Sequence, residues 1–352
     1  MVIVIGVDVH KATHTFVAVD EVGRRLGEMT VKATSAGHGV ALRWARTQFG
    51  DELRWGIEDC RHLSARLERD LLSAGQEVVR VPPKLMSRSR SSAREPGKSD
   101  PIDALAVARA VLREPDLPAA IHDAQTRELK LLVDRREDLV GERTRQINRL
   151  RWHLHELDPE FDVPVKGFAI KQQRRRVAEW LRDRPGLVAE LARDVLEDID
   201  AVSGRIGNLE KRITVLVRDR YPHLLAIVGC GPLTAAKIAG ETANVSRFRS
   251  EACFAMNAGV APIPVWSGNT RGRVRMSRTG NRQLNTALHR IAVTQLQRPG
   301  LGHAYYRKRI EHGDSTTEAL RCLKRRLARV VFNALHADQQ PAELSASLPL
   351  AA

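Results

Sequence analysis

The chain opens with an apolar run, "VIVIGVDV", followed by "THTFVAVDE", in which apolar and polar residues alternate; a "GRR" turn then leads into "LGEMTVKAT". Two-residue periodicity bounded by turn residues predicts three strands joined as an antiparallel meander. The pattern then changes repeatedly. "AGHGVALRWARTQFG" has helical spacing and "LRWGIEDC" is a buried strand. "RHLSARLERDLLSAG" is a helix closed by Gly75, and "QEVVRVPP" is a strand stopped by Pro82 and Pro83. "SDPIDALAVARAVL" forms a further helix, with Ser99 as its N-cap and Pro101 accommodated in the first turn.

The resulting order, β-β-β-α-β-α-β-α, is that of a ribonuclease H-like fold, assigned to residues 1–120. A helical pattern replaces it over 121–220. Leu132, Leu139, Ile147, Leu150, Leu154 and Leu157 recur at steps of three and four, with Arg136 and Arg143 interrupting the seam. After Pro159 and Pro164 the series Leu187, Leu191, Val195, Ile199, Val202, Ile206, Leu209, Ile213, Leu216 approaches heptad spacing. The expectation is a long antiparallel helical hairpin, as in a coiled coil. Residues 221–340 form a third, mainly helical region, glycine-rich to residue 280, and 341–352 a frayed tail. Its last helix is expected to bury Leu320, Leu323, Leu327 and Val330, with Arg321, Lys324, Arg325 and Arg329 around that face.

Charge narrows the function. A formal net charge of +15 over 352 residues predicts a polyanionic partner, nucleic acid before an anionic membrane surface. No apolar run approaches the roughly 20 residues that span a bilayer, and the N-terminus lacks the basic segment and cleavage site of a secretory signal. The expectation is a soluble, cytoplasmic protein with no membrane partner. Cys60, Cys230, Cys253 and Cys322 lack metal-ligand spacing and are expected to be free thiols, buried ones above all. With 15 aromatic residues in all, phosphate contacts rather than base stacking should set affinity.

Four acids carry the candidate chemistry. Asp8 ends the first strand, Glu58 ends "LRWGIE", and Asp100 and Asp103 are three apart on one face of a helix's first turn. Singly, each has an ordinary explanation as a turn cap, a surface charge or a helix N-terminal acid. Brought to one sheet edge they would repel one another unless divalent cations neutralised them, and hard oxygen ligands suit Mg²⁺ or Mn²⁺. Two such ions assist phosphoryl transfer by stabilising the attacking and leaving oxygens. His10, His14 and His62 lie near the acids in sequence and are read as ordinary polar side chains.

Further along, "LLAIVGCGPLTAAKIAGE" reads helix, G-x-G-P turn, helix, resembling a helix-hairpin-helix that contacts a DNA backbone through Gly229, Gly231, Thr234 and Lys237; a simple tight turn is the alternative. "AGVAPIPVWSGNTRGRVRMSRTGNRQL" cannot be helical across Pro262 and Pro264. It sets Ser267 near Arg271, Arg273, Arg275, Arg278 and Asn281, a composition suited to phosphate, although Ser267 alone is also a turn serine and Ser277 is a rival. Lys11, "KQQRRR" at 171–176 and the segment 84–98, with Arg88, Arg90, Arg94 and Lys98, add candidate phosphate contacts; a solvated linker is the alternative for the last.

Together "GVDVHKATHTFVAVD", "GIED", "KSDPIDA", "IVGCGPLTAAKIAGE", "AGVAPIPVWSGNTRGRVRMSRTGNRQL" and "YYRKRIEHG" resemble successive signatures of the DEDD insertion-sequence transposases, relatives of the Piv DNA invertase. The resemblance spans about residues 3–335. It implies a RuvC-like domain, a coiled coil and a C-terminal transposase domain, with Asp8, Glu58, Asp100 and Asp103 matching the metal-binding acids and Ser267 the serine before glycine. It further implies donor and target DNA as substrates, a structured bridge RNA as guide, homo-oligomers (dimer or tetramer) and a 5′-phosphoserine link to DNA. Pro101 between the last two acids departs from the family pattern. A metal-dependent Holliday-junction-type endonuclease and a non-catalytic nucleic-acid-binding scaffold are the alternative functions.

Overall fold

A computed structural model of the chain describes residues 2–58, 63–82, 85, 99–114, 117, 119–121, 123–272, 274–276 and 280–339. Cys60, His62, Arg88, Arg90, Arg94, Lys98, Arg273, Ser277, Arg278 and the tail 341–352 lie outside the described residues. The chain divides into two compact units, Met1–Asp123 with Ser246–Arg249, and Ala124–Val245 with Ser250–Ala352.

The first unit is built on a five-stranded sheet in the order β3-β2-β1-β4-β5. The strands are β1 (Ile3–Val9), β2 (Thr13–Val19), β3 (Arg25–Lys32), β4 (Leu53–Glu58) and β5 (Glu77–Val81). The first three pair antiparallel, as the meander requires, whereas β4 joins β1 and β5 joins β4 in parallel through helical crossovers. β1, central and covered on both faces, is buried at every position, which explains its unbroken apolar run. β3, at the edge, is mostly exposed or half-buried.

Alternation along the strands makes two cores. Ile5, Val7, Phe16, Trp55 and Ile57 pack beneath α1 (Ser35–Phe49) and α2 (Ala65–Ser73), with Trp55 Nε1 donating to buried Gln76 Oε1 at 2.9 Å. Val4, Val17, Val79 and Val81 face α3 (Asp100–Arg113) through Ala104, Val107, Ala108 and Val111. Gly6 and Gly56 are paired across β1 and β4 on this second face. A Cβ at Gly6 would lie 2.1 Å from the Ala104 carbonyl oxygen, and one at Gly56 would lie 2.5 Å from Val111. Two missing side chains thus set how closely α3 approaches the sheet.

In the second unit, α4 (Ala124–Leu157) and α6 (Leu187–Arg220) run antiparallel, with Arg136 joined to Glu210 and Arg212 to Glu128 across the pair. Arg136, which breaks the apolar series, does so because it crosses the seam to a carboxylate. The start of the α6 seam differs from the heptad reading. Leu187 and Leu191 are exposed, and Ala189, Ala192 and Leu196 are buried instead. A straight helix drifts from a strict seven-residue repeat, and small alanines permit close packing where larger leucines had marked the pattern. The helix α5 (Lys171–Leu181) covers this end through Val177 and Leu181.

The remaining helices are α7 (Pro222–Ala226), α8 (Pro232–Thr242), α9 (Glu251–Asn257), α10 (Arg282–Leu296), α11 (Leu301–Glu311) and α12 (Thr316–Gln339). Between α9 and α10, β6 (Pro262–Pro264) and β7 (Val274–Met276) form an antiparallel hairpin. On α12 Leu323 and Leu327 are buried and Leu320 is half-buried, as the pattern predicts, while Val330 is 47% exposed and Val331 and Phe332 turn inward in its place. Lys324 is buried on that face, and Arg325 and Arg329 both bind Glu251, with Arg325 half-buried and the Arg329 side chain 68% exposed. Cys230 is a buried free thiol, and Cys253 and Cys322 are half-buried free thiols. Among the described residues no helix is long and apolar enough to cross a membrane.

Candidate active site

The acid cluster lies at the edge of the sheet where β1 and β4 end. Asp8 shares a face with Gly6 by two-residue alternation, and Glu58 shares one with Gly56. Because Gly6 pairs with Gly56, both carboxylates belong to the face covered by α3, at the same level on strands about 4.8 Å apart. On the helix side, Ser99 is the extended N-cap, Pro101 falls at the first helical positions, and the Asp103 amide donates to the Ser99 carbonyl at 3.0 Å. Proline needs no amide partner there, so its place between the acids leaves the first turn regular. Asp8 and Asp103 are buried and Asp100 is exposed.

Beyond β1 the chain turns tightly, the His10 amide donating to the Thr13 carbonyl at 3.0 Å. This turn carries His10 Nε2 to 3.0 Å from Asp8 Oδ2 and 3.4 Å from Asp100 Oδ1. Burial raises the Asp8 carboxyl above its ordinary pKa; His10 opposes the rise, and the charges of Asp103 and Asp100 add to it. One ligand atom from each of Asp8, His10 and Asp100 lies within 4.8 Å of the other two. Two carboxylates and an imidazole form a donor set that fits a divalent cation. Glu58 and Asp103 share this edge without being members of that three-atom group, and Lys11, which follows His10 in the turn, is exposed.

In the second unit, Ser267 occupies the loop of the β6–β7 hairpin. It is exposed and precedes Gly268, whose φ of +43° opens the short 3₁₀ turn Gly268–Thr270. Arg271 and Arg275 are exposed on the same hairpin, as are Val265, Trp266 and Val274. The stem is pinned by polar contacts. Asn285 Nδ2 donates to the Ala258 and Gly259 carbonyls at 2.9 and 3.1 Å, and the Asn281 amide donates to the Asn257 carbonyl at 2.6 Å. Lys324 Nζ in turn donates to Asn285 Oδ1 at 2.5 Å. Gly280, at φ +105°, passes so close to Gly259 that a Cβ there would lie 2.6 Å from the Gly259 nitrogen.

Two residues expected to meet phosphate are engaged internally. Lys237 is buried, its ammonium donating to Glu137 and to Gln283. Asn281 caps α10 by accepting from the Gln283 and Leu284 amides, and its Nδ2 donates to Glu241. Gly229, at φ +90°, shapes the turn before α8 and packs against Ile291 and Thr294. Gly231 is the exposed N-cap of α8, and Thr234 is half-buried in its first turn. Glu241 and Asn285 carried no sign in the sequence, Lys324 was expected around the buried face of α12 rather than within it, and His10, read as an ordinary polar side chain, carried one signal, its position two residues after a strand-terminal acid.

Comparison with known proteins gives two family matches in chain order. The model described as DEDD_Tnp_IS110 transposase matches residues 5–159, and that of the transposase IS116/IS110/IS902 family matches residues 221–307. The chain is 29% identical over 374 aligned residues to the "Insertion element IS116 uncharacterized 44.8 kDa protein" of Streptomyces clavuligerus, with 93% of each chain covered. It is 28% identical to the "Insertion element IS900 uncharacterized 42 kDa protein" of Mycobacterium paratuberculosis, covering 97% of this chain and 98% of that protein. Among solved structures, Thermus thermophilus RuvC in complex with a Holliday junction substrate aligns to 34% of this chain and 100% of its own at 15% identity, with a TM-score of 0.28.

Proposed function

The chain belongs to the IS116/IS110/IS902 family of transposases, and from that premise we propose that it cuts and rejoins donor and target DNA using a metal-dependent acid site and Ser267 as nucleophile. The observation that carries the reading is the gathering of Asp8, Asp100 and Asp103 at the edge where Glu58 also ends its strand. In this reading Asp8, Glu58, Asp100 and Asp103 hold one or two Mg²⁺ or Mn²⁺ ions. Such ions, when bound, neutralise charge developing on phosphodiester oxygens.

The residues supply the remaining chemistry. Ser267 Oγ forms a bond to phosphorus as the bond from phosphorus to O3′ breaks; that electron pair leaves on O3′, and the serine proton ends on the released 3′ hydroxyl. The product is a 5′-phosphoserine, and rejoining is the same exchange in reverse with a new 3′ hydroxyl. Arg271 and Arg275, exposed among the described residues of the hairpin, hold the phosphate oxygens. A structured bridge RNA as guide and an oligomeric assembly complete the reading, and both rest on family resemblance.

The test is direct. The protein is incubated with its flanking DNA and Mg²⁺ or Mn²⁺, denatured, and searched by mass spectrometry for a nucleotide on Ser267. An adduct absent from Ser267→Ala and from Asp8→Ala establishes the mechanism. Cleavage that persists in Ser267→Ala without an adduct would replace it with hydrolysis by water, as in a Holliday-junction-type nuclease. Binding without any metal-dependent cleavage in the wild type would leave a nucleic-acid-binding scaffold.

A further inference from the structure

We infer that His10 is a metal ligand, and that its imidazole biases the acid site toward divalent transition ions of the Mn²⁺ class over Mg²⁺. The inference rests on the reading of the acid cluster as a metal centre. With metal–ligand bonds of about 2.1 Å, neighbouring ligand atoms of an octahedron stand about 3 Å apart. His10 Nε2 stands 3.0 Å from Asp8 Oδ2 and 3.4 Å from Asp100 Oδ1, so it takes one corner of a set whose other two corners are carboxylate oxygens. The three atoms come from three separately anchored places: the end of β1, the turn after it, and the N-terminus of α3.

Chemistry decides which ion this set prefers. Mg²⁺ is a hard ion that favours oxygen donors and retains water, whereas imidazole nitrogen suits first-row transition ions. A site of carboxylates alone discriminates weakly between Mg²⁺ and Mn²⁺; a nitrogen at one corner shifts the balance toward Mn²⁺. The competing role for His10 is that of a hydrogen-bonding neighbour resting between two carboxylates, leaving when a cation enters. The two roles differ in an observable way, because only a ligand places a nitrogen nucleus in direct contact with the ion.

The experiment uses the full chain with Mn²⁺ alone as probe. Pulsed EPR of bound Mn²⁺ should show ¹⁴N modulation from one imidazole, and His10→Gln should abolish it. Competition titration should show His10→Gln weakening Mn²⁺ binding by about tenfold or more, the range seen when even the supporting partners of metal ligands are removed, while Mg²⁺ binding changes less than about threefold. Circular dichroism on the variant verifies that the fold is kept. Bound Mn²⁺ without ¹⁴N modulation, lost on Asp8→Asn, would overturn the role of His10 and leave the acid centre standing. Failure of the wild type to bind Mn²⁺ or Mg²⁺, or binding that Asp8→Asn leaves unchanged, would overturn the centre and the inference with it.

Discussion

His14 shows how one buried side chain sets a pH response. It is 1% exposed in β2, its ring stacked on His38 at 5.2 Å between centroids, and His38 Nδ1 lies 2.6 Å from Asp70 Oδ2. Burial, and then the neighbouring His38, push the His14 pKa down from 6.5 to about 4. The folded form therefore binds fewer protons than the unfolded chain between those values. Stability is fully present above pH 6.5 and is lost as pH falls toward 4. Between pH 7 and pH 5 this group alone removes on the order of 1–2 kcal/mol. Urea midpoints of wild type and His14→Gln at the two pH values check it: the variant should lose less on acidification, and equal losses would refute the assignment.

At the scale of elements, the contact between β1 and α3 sets the acid geometry. Gly6→Ala places a methyl group 2.1 Å from a helix carbonyl oxygen, so α3 must move outward and carry Asp100 and Asp103 away from Asp8. The expected cost is about 1–3 kcal/mol, with Mn²⁺ affinity falling by more than in Gly75→Ala. Gly75, beyond α2, has open space around it and a φ of +74°, so it reports backbone strain alone. Titration of both variants separates the effects; equal metal affinities would mean that the glycine contact does not position the acids. Much of this unit was legible in sequence, because two-residue alternation and a buried central strand leave direct marks on hydropathy. The start of the α6 seam was not, since Ala189 and Ala192 pack inward by virtue of smallness rather than hydrophobic bulk. The internal engagement of Lys237 was equally hidden, its partner Glu137 standing a hundred residues away in another helix.

For the whole molecule, the net charge of +15 is a total, and binding depends on which cations remain presented to solvent. Arg325 and Arg329 share Glu251, holding its carboxyl down at a pKa of about 2, and Lys237 is buried against Glu137. Cations already paired release few counterions when DNA arrives. Arg271 and Arg275, exposed on the serine hairpin, do release them in the proposed complex. Each phosphate contact on duplex DNA contributes about 0.9 to the slope of log affinity against log salt concentration. Arg271→Gln with Arg275→Gln should therefore lower that slope by up to about 2, whereas Arg329→Gln, which leaves Arg325 on Glu251, should leave it within about 0.5 of wild type. Fluorescence anisotropy on one flanking DNA duplex from 50 to 300 mM salt measures all three proteins. A slope that falls with Arg329→Gln and not with the hairpin pair would move the DNA surface from the serine hairpin to the terminal helix, and would separate the candidate nucleophile from the phosphate it is proposed to attack.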